Sequence, residues 1–187
     1  LSTAIPLKDL GAIGSAKLFR NRCVTVRAGS TTILSGTHTP LFGSTEESSK
    51  ATLLLTLGGE AHYWIQKKSL EAKGTLTALF LPGSAYSAQT DNFNGVIFTV
   101  SPKRILDTAS AMAGLEAPAA EMKAHIVKAR QMHLGQAERS AAILGLRHAL
   151  DLFDIPNRSP ADLAESLGVE DVMHRCIALM LFPWLLE

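Results

Sequence analysis

The character of the sequence changes at Ser101, and this change constrains the fold more than any other feature. Before it, short runs rich in β-branched and aromatic residues alternate with Gly, Pro and Asn turn signals. After it, apolar residues recur at helical spacing nearly to the last residue. Strands grouped before helices are typical of an α+β fold, in which helices pack at one side of an antiparallel sheet. We therefore expect a β-barrel or sandwich over residues 1–100 and a set of helices over residues 101–187.

The residues before Ser101 predict roughly six or seven strands joined by short turns. Alternating or continuous apolar runs mark the strands, at residues 23–28, 31–35, 51–57, 62–66, 75–81 and 96–100. Gly58 and Gly59 predict a hairpin, and Pro82 ends another run because proline cannot donate to a strand ladder. Stretches rich in turn residues predict an arm, loops and turns, at residues 1–21, 36–50, 67–74 and 91–95. This pattern is typical of a barrel or sandwich.

Capping signals and apolar stripes predict the helices after Ser101. Ser101 and Pro102 are an N-cap and a first residue that helices favour, and Gly114 is a typical stop. Further helices are predicted at residues 118–134, 138–153 and 160–167. The last helix carries an apolar stripe that consists of Val169, Met173, Cys176 and Met180.

Composition and charge exclude several classes of function. The net charge is +1 over 187 residues, so no strong positive field would attract nucleic acid to this chain. The apolar run of residues 176–186 contains Pro183 and is too short to span about 30 Å of hydrocarbon, so we expect no membrane partner. Cys23 and Cys176 have no metal-binding spacing and are expected to be reduced thiols in the cytoplasm. The sequence stops within an apolar run, so we expect its natural continuation to be absent.

No motif in the sequence predicts catalysis or a cofactor. The six histidines form neither HxH nor HExxH. Glu60, His62 and Trp64 share one face of a strand by alternation. One carboxylate and one imidazole fall short of the three protein ligands that a metal site usually needs. We therefore expect no metal, no cofactor and no enzyme.

The same strand offers contacts for a small ligand. We expect Glu60, His62 and Trp64, together with Tyr86, to contact a small and mostly apolar molecule inside the barrel. Two alternatives stay open. His62 is simply a polar residue on a half-exposed strand, or the Trp64 indole fills the barrel itself.

The helix predicted at residues 138–153 is the candidate dimer element. Its apolar surface is wider than one stripe, and small residues beside that stripe allow another helix to approach closely. A hydrophobic fraction of 47% also indicates an apolar face that a partner covers. The predicted interface of a homodimer consists of Ala142, Gly145, Leu146, Ala149, Leu152 and Phe153. The alternative is that both faces of this helix pack within one monomer.

Four segments give the chain a resemblance to a known family. These are a glycine-containing hairpin pattern, a strand that ends in Pro-Gly, a strand that runs into a capped helix and an apolar helix, at residues 55–60, 74–83, 96–104 and 172–186. In this order they resemble the N-terminal regulatory domain of AraC-family transcription regulators, which contains a cupin-like β-barrel. The resemblance implies a barrel that can hold a small effector and helices that form a homodimer. It also implies that DNA is bound only through a C-terminal domain with two helix-turn-helix motifs, which lies outside this chain.

Two other functions stay open on the sequence alone. One is a metal-dependent cupin-type enzyme, an isomerase or a dioxygenase, although the paired histidines of such enzymes are missing here. The other is a stand-alone module that binds a small molecule. A basic helical domain encoded after Glu187 would favour the regulator over both alternatives.

Overall fold

Antiparallel strands fill most of the first hundred residues, and helices pack against one face of their sheet. The computed structural model describes residues 5–114, 118–135, 137–154, 162, 165 and 167–186. Within these residues the strands are β1 (Leu7–Ala12), β2 (Asn21–Ala28), β3 (Thr31–His38), β4 (Leu41–Thr45), β5 (Ala51–Ile65), β6 (Lys68–Lys73), β7 (Thr77–Leu81), β8 (Tyr86–Val100) and β9 (Arg130–His133). The α-helices there are α1 (Pro102–Ala113), α2 (Ala119–Ile126), α3 (Ala137–Asp151) and α4 (Val169–Leu181). The predicted α+β fold, a β-barrel followed by helices, is confirmed.

Two long strands, β5 and β8, connect the two halves of the barrel. They pair from Ala51 opposite Val100 to Ile65 opposite Tyr86. The first half of β5 also pairs with β7, and its second half pairs with β6. β8 pairs with β4 through its first half and with β3 through its second half. Each long strand therefore belongs to both halves of the barrel.

The two long strands change register where Gly59 faces Asn92. Gly59 has a φ of 77°, and a Cβ atom there would collide with the Asn92 carbonyl oxygen, so only glycine fits. The pairing with β8 shifts on both sides of Gly58. The predicted hairpin at Gly58 and Gly59 is therefore wrong, because these glycines form a bulge within β5. The chain turns instead at Gln66 and Lys67, which both have positive φ.

Both faces of the central strands are covered, which explains their continuous apolar sequence. Residues 51–56 of β5 are all buried. Leu53 and Leu55 lie in a core shared with the helices, whereas Leu54 belongs to a second core inside the barrel. A strand with one face in water would alternate between apolar and polar residues. The apolar run in the sequence therefore reflects the helices that pack outside the sheet.

The first and last helices match their sequence signals. The side-chain oxygen of Ser101 accepts a hydrogen bond from the Arg104 amide at 3.4 Å, and Gly114 ends α1 with a φ of 69°. α4 buries the predicted stripe, which consists of Val169, Met173, Cys176 and Met180. Both predictions are confirmed. Among the described helices, none combines the length and the apolar character that crossing a bilayer requires.

Several segments predicted as irregular or helical are strands. β1, β4 and β6 lie in stretches predicted as an arm, a loop and a turn, and residues 91–95 are part of β8. Only Ala119–Ile126 of the helix predicted at residues 118–134 is helical, and β9 follows it. β9 pairs with the buried strand β7, and this pairing overrides a weak helical pattern. The helix predicted at residues 160–167 lies mostly outside the described residues.

Candidate functional site

A cavity of about 80 Å³ lies inside the half of the barrel that β1, β4 and the first half of β8 form. Ile5, Leu7 and Leu10 line it from the first described residues of the chain, and Ala88 and Thr90 line it from β8. The wall is mostly apolar. The volume is small compared with about 300–1,000 Å³ for typical ligand pockets. In this conformation the cavity therefore suits only a small molecule.

Two tyrosines bring hydrogen-bonding groups to this apolar wall. Tyr63 lies on β5 and Tyr86 begins β8, with ring centroids 5.6 Å apart and planes inclined by 56°. Burial raises the pKa of Tyr86 to about 12, and a hydrogen bond with Thr52 opposes this effect. Burial also raises the pKa of Tyr63, and the neighbouring Tyr86 adds to the shift. Both phenols are therefore neutral at physiological pH.

His38 supplies an imidazole to the cavity wall. Its ring stacks on Phe93, with centroids 5.1 Å apart and planes inclined by 20°. Nδ1 lies 3.0 Å from the Thr39 carbonyl oxygen, so the hydrogen bond places the proton on Nδ1 and leaves Nε2 as an acceptor. Burial lowers the pKa of His38, although the hydrogen bond to Thr39 opposes the shift. The imidazole is therefore neutral near pH 7.

The cavity is suited to a neutral ligand and not to a metal ion. Its polar side chains are those of His38, Thr45, Tyr63, Tyr86 and Thr90. All are uncharged near neutral pH, so an ionised ligand would lose hydration without gaining a partner charge. Among the described residues that line the cavity, His38 supplies the one imidazole, and neither a thiol nor a carboxylate joins it. This donor set does not fit the metal centre of a cupin-type enzyme.

The structure separates the four residues predicted to contact a ligand. Tyr86 lines the cavity. Glu60, His62 and Trp64 lie on the outer face of β5, because the residues between them, Ala61 and Tyr63, are buried in the barrel. The Trp64 side chain is 46% exposed. The expectation that Trp64 lies inside the barrel, as a ligand contact or as filling, is therefore wrong.

The sequence patterns did not predict Tyr63, His38 and Phe93 as cavity residues, for two different reasons. Tyr63 follows His62 on the same strand and therefore points to the opposite face. An error of one residue in the predicted register exchanges the two faces of a strand. The sequence signal that could have identified Tyr63 is its aromatic side chain, directly before Trp64 in the chain. His38 and Phe93 lie in segments predicted as a loop and a turn, so neither could be assigned to a face.

The predicted dimer strip is used within the monomer. Ala142, Leu146 and Ala149 on α3 are buried in the core that also contains α4. At Gly145, a Cβ atom would lie 2.7 Å from the Cys176 Sγ, so glycine lets the two helices approach closely. Leu152 and Phe153 are half-buried against the same core. The small residues of the predicted strip therefore pack within one monomer, as the alternative proposed. The homodimer stays a prediction.

A network of polar contacts joins the barrel to α4. The Glu170 carboxylate accepts hydrogen bonds from the Ser30 amide at 2.8 Å and from the Ser30 hydroxyl at 2.7 Å. Arg104 on α1 lies 3.3 Å from the same carboxylate and 2.9 Å from Asp171. A side chain at Gly29, which has a φ of 58°, would collide with Glu170. The turn between β2 and β3 therefore fits closely around the first turn of α4.

Comparisons with known proteins bear on the fold. No family model and no curated protein matches the chain. Among solved structures, the AraC-like transcriptional activator CuxR has a TM-score of 0.68 and 9% identity, over 92% of this chain and 60% of that chain. A cupin superfamily protein from Desulfitobacterium hafniense has a TM-score of 0.37 and 17% identity, over 44% of this chain and 78% of that one. A cupin domain of an XRE-family transcriptional regulator from Enterobacter cloacae has a TM-score of 0.36 and 8% identity, over 44% of this chain and 95% of that chain. The chain shares the fold of an AraC-like transcriptional activator, which confirms the resemblance at the level of the fold.

Proposed function

We propose that this chain is the regulatory part of an AraC-like transcription regulator, in which the barrel binds a small effector and the helices pair two copies. The observation that carries the proposal is a mostly apolar cavity whose polar side chains are all neutral, inside a fold shared with an AraC-like activator. Because the net charge is only +1, DNA binding in such a regulator would fall to a separate domain. Such a role would place the chain in the cytoplasm, with Cys23 and Cys176 reduced.

The chemistry of the cavity defines the class of effector. A neutral molecule with a small apolar body and a hydroxyl or carbonyl group would match the apolar wall and the groups of His38, Tyr63 and Tyr86. A larger effector would require β1 to move. In the described part of the sheet β1 pairs with β4 alone, so its displacement costs fewer hydrogen bonds than that of any central strand.

The polar network around Glu170 supports the transmission of a structural change from the barrel to the helices. Ser30 belongs to the barrel, Arg104 to α1 and Glu170 to α4, so these contacts hold three elements in one arrangement. An effector that binds one arrangement of the barrel more tightly would shift the population of helix arrangements by the difference in affinity. Two copies joined through their helices would then present their DNA-binding domains differently.

The cavity is tested by a variant that fills it. Thermal denaturation is measured with small neutral phenols and alcohols and with carboxylic acids of the same size. We expect the neutral compounds to raise the Tm and the acids to have no effect. Ala88→Leu adds three carbon atoms to the cavity wall and should abolish the shift, whereas Ala124→Leu, at an exposed position on α2, should retain it. Stabilisation that survives Ala88→Leu, or that acids match, would contradict the proposal.

A further inference from the structure

Three side chains that can ligate a metal ion come together on the outer surface of the barrel. Glu60 and His62 lie on the outer face of β5, and Glu71 is exposed on β6. One potential ligand atom from each residue lies within 4.8 Å of the other two. His62 Nε2 is 3.4 Å from Glu71 Oε1. We propose that Glu60, His62 and Glu71 bind a divalent metal ion of the zinc type.

The strand ladder fixes the positions of these three residues. His62 lies directly opposite Glu71 in the antiparallel pair of β5 and β6, and Glu60 lies two residues from His62 on the same face. Directly opposite residues have Cβ atoms about 4.5–5.5 Å apart. The site is thus arranged by backbone pairing and needs no loop to fold around the ion.

The sequence interpretation missed this cluster because it predicted residues 67–74 as a turn. With Glu60 and His62 alone, the strand has one carboxylate and one imidazole. The pairing of β6 with β5 adds the carboxylate of Glu71 as the third ligand. Three protein ligands with a remaining position for water form an open zinc-type site.

The donor atoms define the class of metal. An imidazole with two carboxylates suits Zn²⁺, Cu²⁺ and Ni²⁺, whereas Mg²⁺ and Ca²⁺ prefer oxygen ligands alone. Asp91 on β8 lies opposite Glu60 and adds negative charge on the same side of the barrel. The site faces away from the cavity, so the ion would lie outside the barrel and would tie β6 to β5.

Lys73 competes with the proposed ion. It lies opposite Glu60, and its Nζ is 2.5 Å from Glu60 Oε1. The Lys73 side chain is 68% exposed, so this ion pair is weak and a metal ion can displace it. Removing the ammonium group should therefore strengthen metal binding, by roughly two- to fivefold.

The test is a titration of the full chain, free of any affinity tag and of metal, with ZnCl₂ by isothermal calorimetry. We expect one Zn²⁺ per chain. His62→Ala and Glu71→Gln should each weaken binding at least about tenfold, and Lys73→Ala should strengthen it. His148→Ala, which removes an exposed histidine on α3, should have no effect. The absence of stoichiometric binding, or equal affinities for His62→Ala, His148→Ala and the unaltered chain, would overturn the proposal.

Tryptophan fluorescence gives an independent readout of the position of the metal. The Trp64 ring lies 6.4 Å from the His62 ring, between centroids. Binding of Cu²⁺ or Ni²⁺ at the site should therefore quench Trp64, and Trp64→Phe should remove that quenching while the calorimetric affinity stays unchanged. Quenching that persists in Trp64→Phe would place the metal elsewhere and contradict the assignment.

Discussion

The Glu170 carboxylate joins α4 to the barrel through hydrogen bonds from Ser30 and to α1 through an ion pair with Arg104. Partial burial tends to raise the pKa of its carboxyl, but the hydrogen bonds from Ser30 and the charge of Arg104 outweigh this effect and hold the pKa below its ordinary value of 4.5. A carboxyl whose pKa is lower in the folded state stabilises the fold when ionised. Its contribution is complete above about pH 4.5 and is lost as the pH falls through the folded-state pKa.

We expect Glu170→Gln to lower the free energy of unfolding by about 1–2 kcal/mol at pH 7, because charged hydrogen bonds become neutral ones. The difference from the unaltered chain should shrink as the pH falls below about 4.5, where Glu170 itself becomes protonated. Urea unfolding at a series of pH values measures this. Glu121→Gln, at an exposed position in α2, is the matched control and should change little. An equal loss for Glu170→Gln at pH 3 and pH 7 would contradict the assigned role.

The helix pair α3 and α4 depends on the absence of a side chain at Gly145. Alanine favours a helix over glycine by about 1 kcal/mol. Here, however, its methyl group would lie 2.7 Å from the Cys176 Sγ, in a region that is already packed. The close approach of the two helices therefore reverses the usual preference.

We expect Gly145→Ala to destabilise the chain by about 1–2 kcal/mol, because overpacking outweighs helix propensity. In a Cys176→Ala background the obstructing sulfur is gone, and the same substitution should become neutral or stabilising. A double-mutant cycle in urea measures the coupling. The same effect in both backgrounds would show that the two positions are not in contact.

The elements that sequence patterns predicted well are those whose sequence and packing agree. α1 has its caps and α4 has an apolar stripe, and both lie where the patterns place them. β6 and β9 carry polar or mixed sequences and become strands only because β5 and β7 offer an edge to pair with. Such pairing joins residues distant in sequence, which no local pattern records.

The candidate site was predictable only in part for the same reason. Tyr86 was identified as an aromatic residue of the strand half, and it lines the cavity. The grouping of Glu60, His62 and Trp64 on one face was right, but which face looks inward depends on the bulge at Gly59 and on the pairing with β8. Side-chain alternation shows which residues of a strand share a face. Which of the two faces points into the barrel depends on the rest of the fold.

At the scale of the whole molecule, the surface left for a second copy differs from the predicted one. Ala142 and Ala149 of α3 are buried, whereas Leu144 on the same helix is 53% exposed. Leu152 and Phe153 follow α3 and are half-buried. The proposed homodimer would therefore form around Leu144 and the exposed edges of Leu152 and Phe153.

We expect sedimentation equilibrium to show a dimer of the chain and Leu144→Glu to shift it to monomer, because a buried unpaired charge is costly at an interface. Leu18→Glu places the same charge at a leucine that is 70% exposed near the start of the barrel, and it should leave the dimer intact. A chain that stays monomeric at the highest soluble concentration would contradict the pairing part of the proposed function.

The contact between Gly145 and Cys176 also has a consequence for chemical labelling. Cys23 is exposed on β2, whereas Cys176 is buried between α3 and α4, where burial raises the pKa of its thiol. A thiol reagent should modify Cys23 rapidly and Cys176 only when the two helices separate. Labelling of Cys23 thus serves as a fast reference, and labelling of Cys176 in the same molecule reports the slower separation of the two helices. The slow phase of labelling would record the rate at which this helix pair opens, with no added probe.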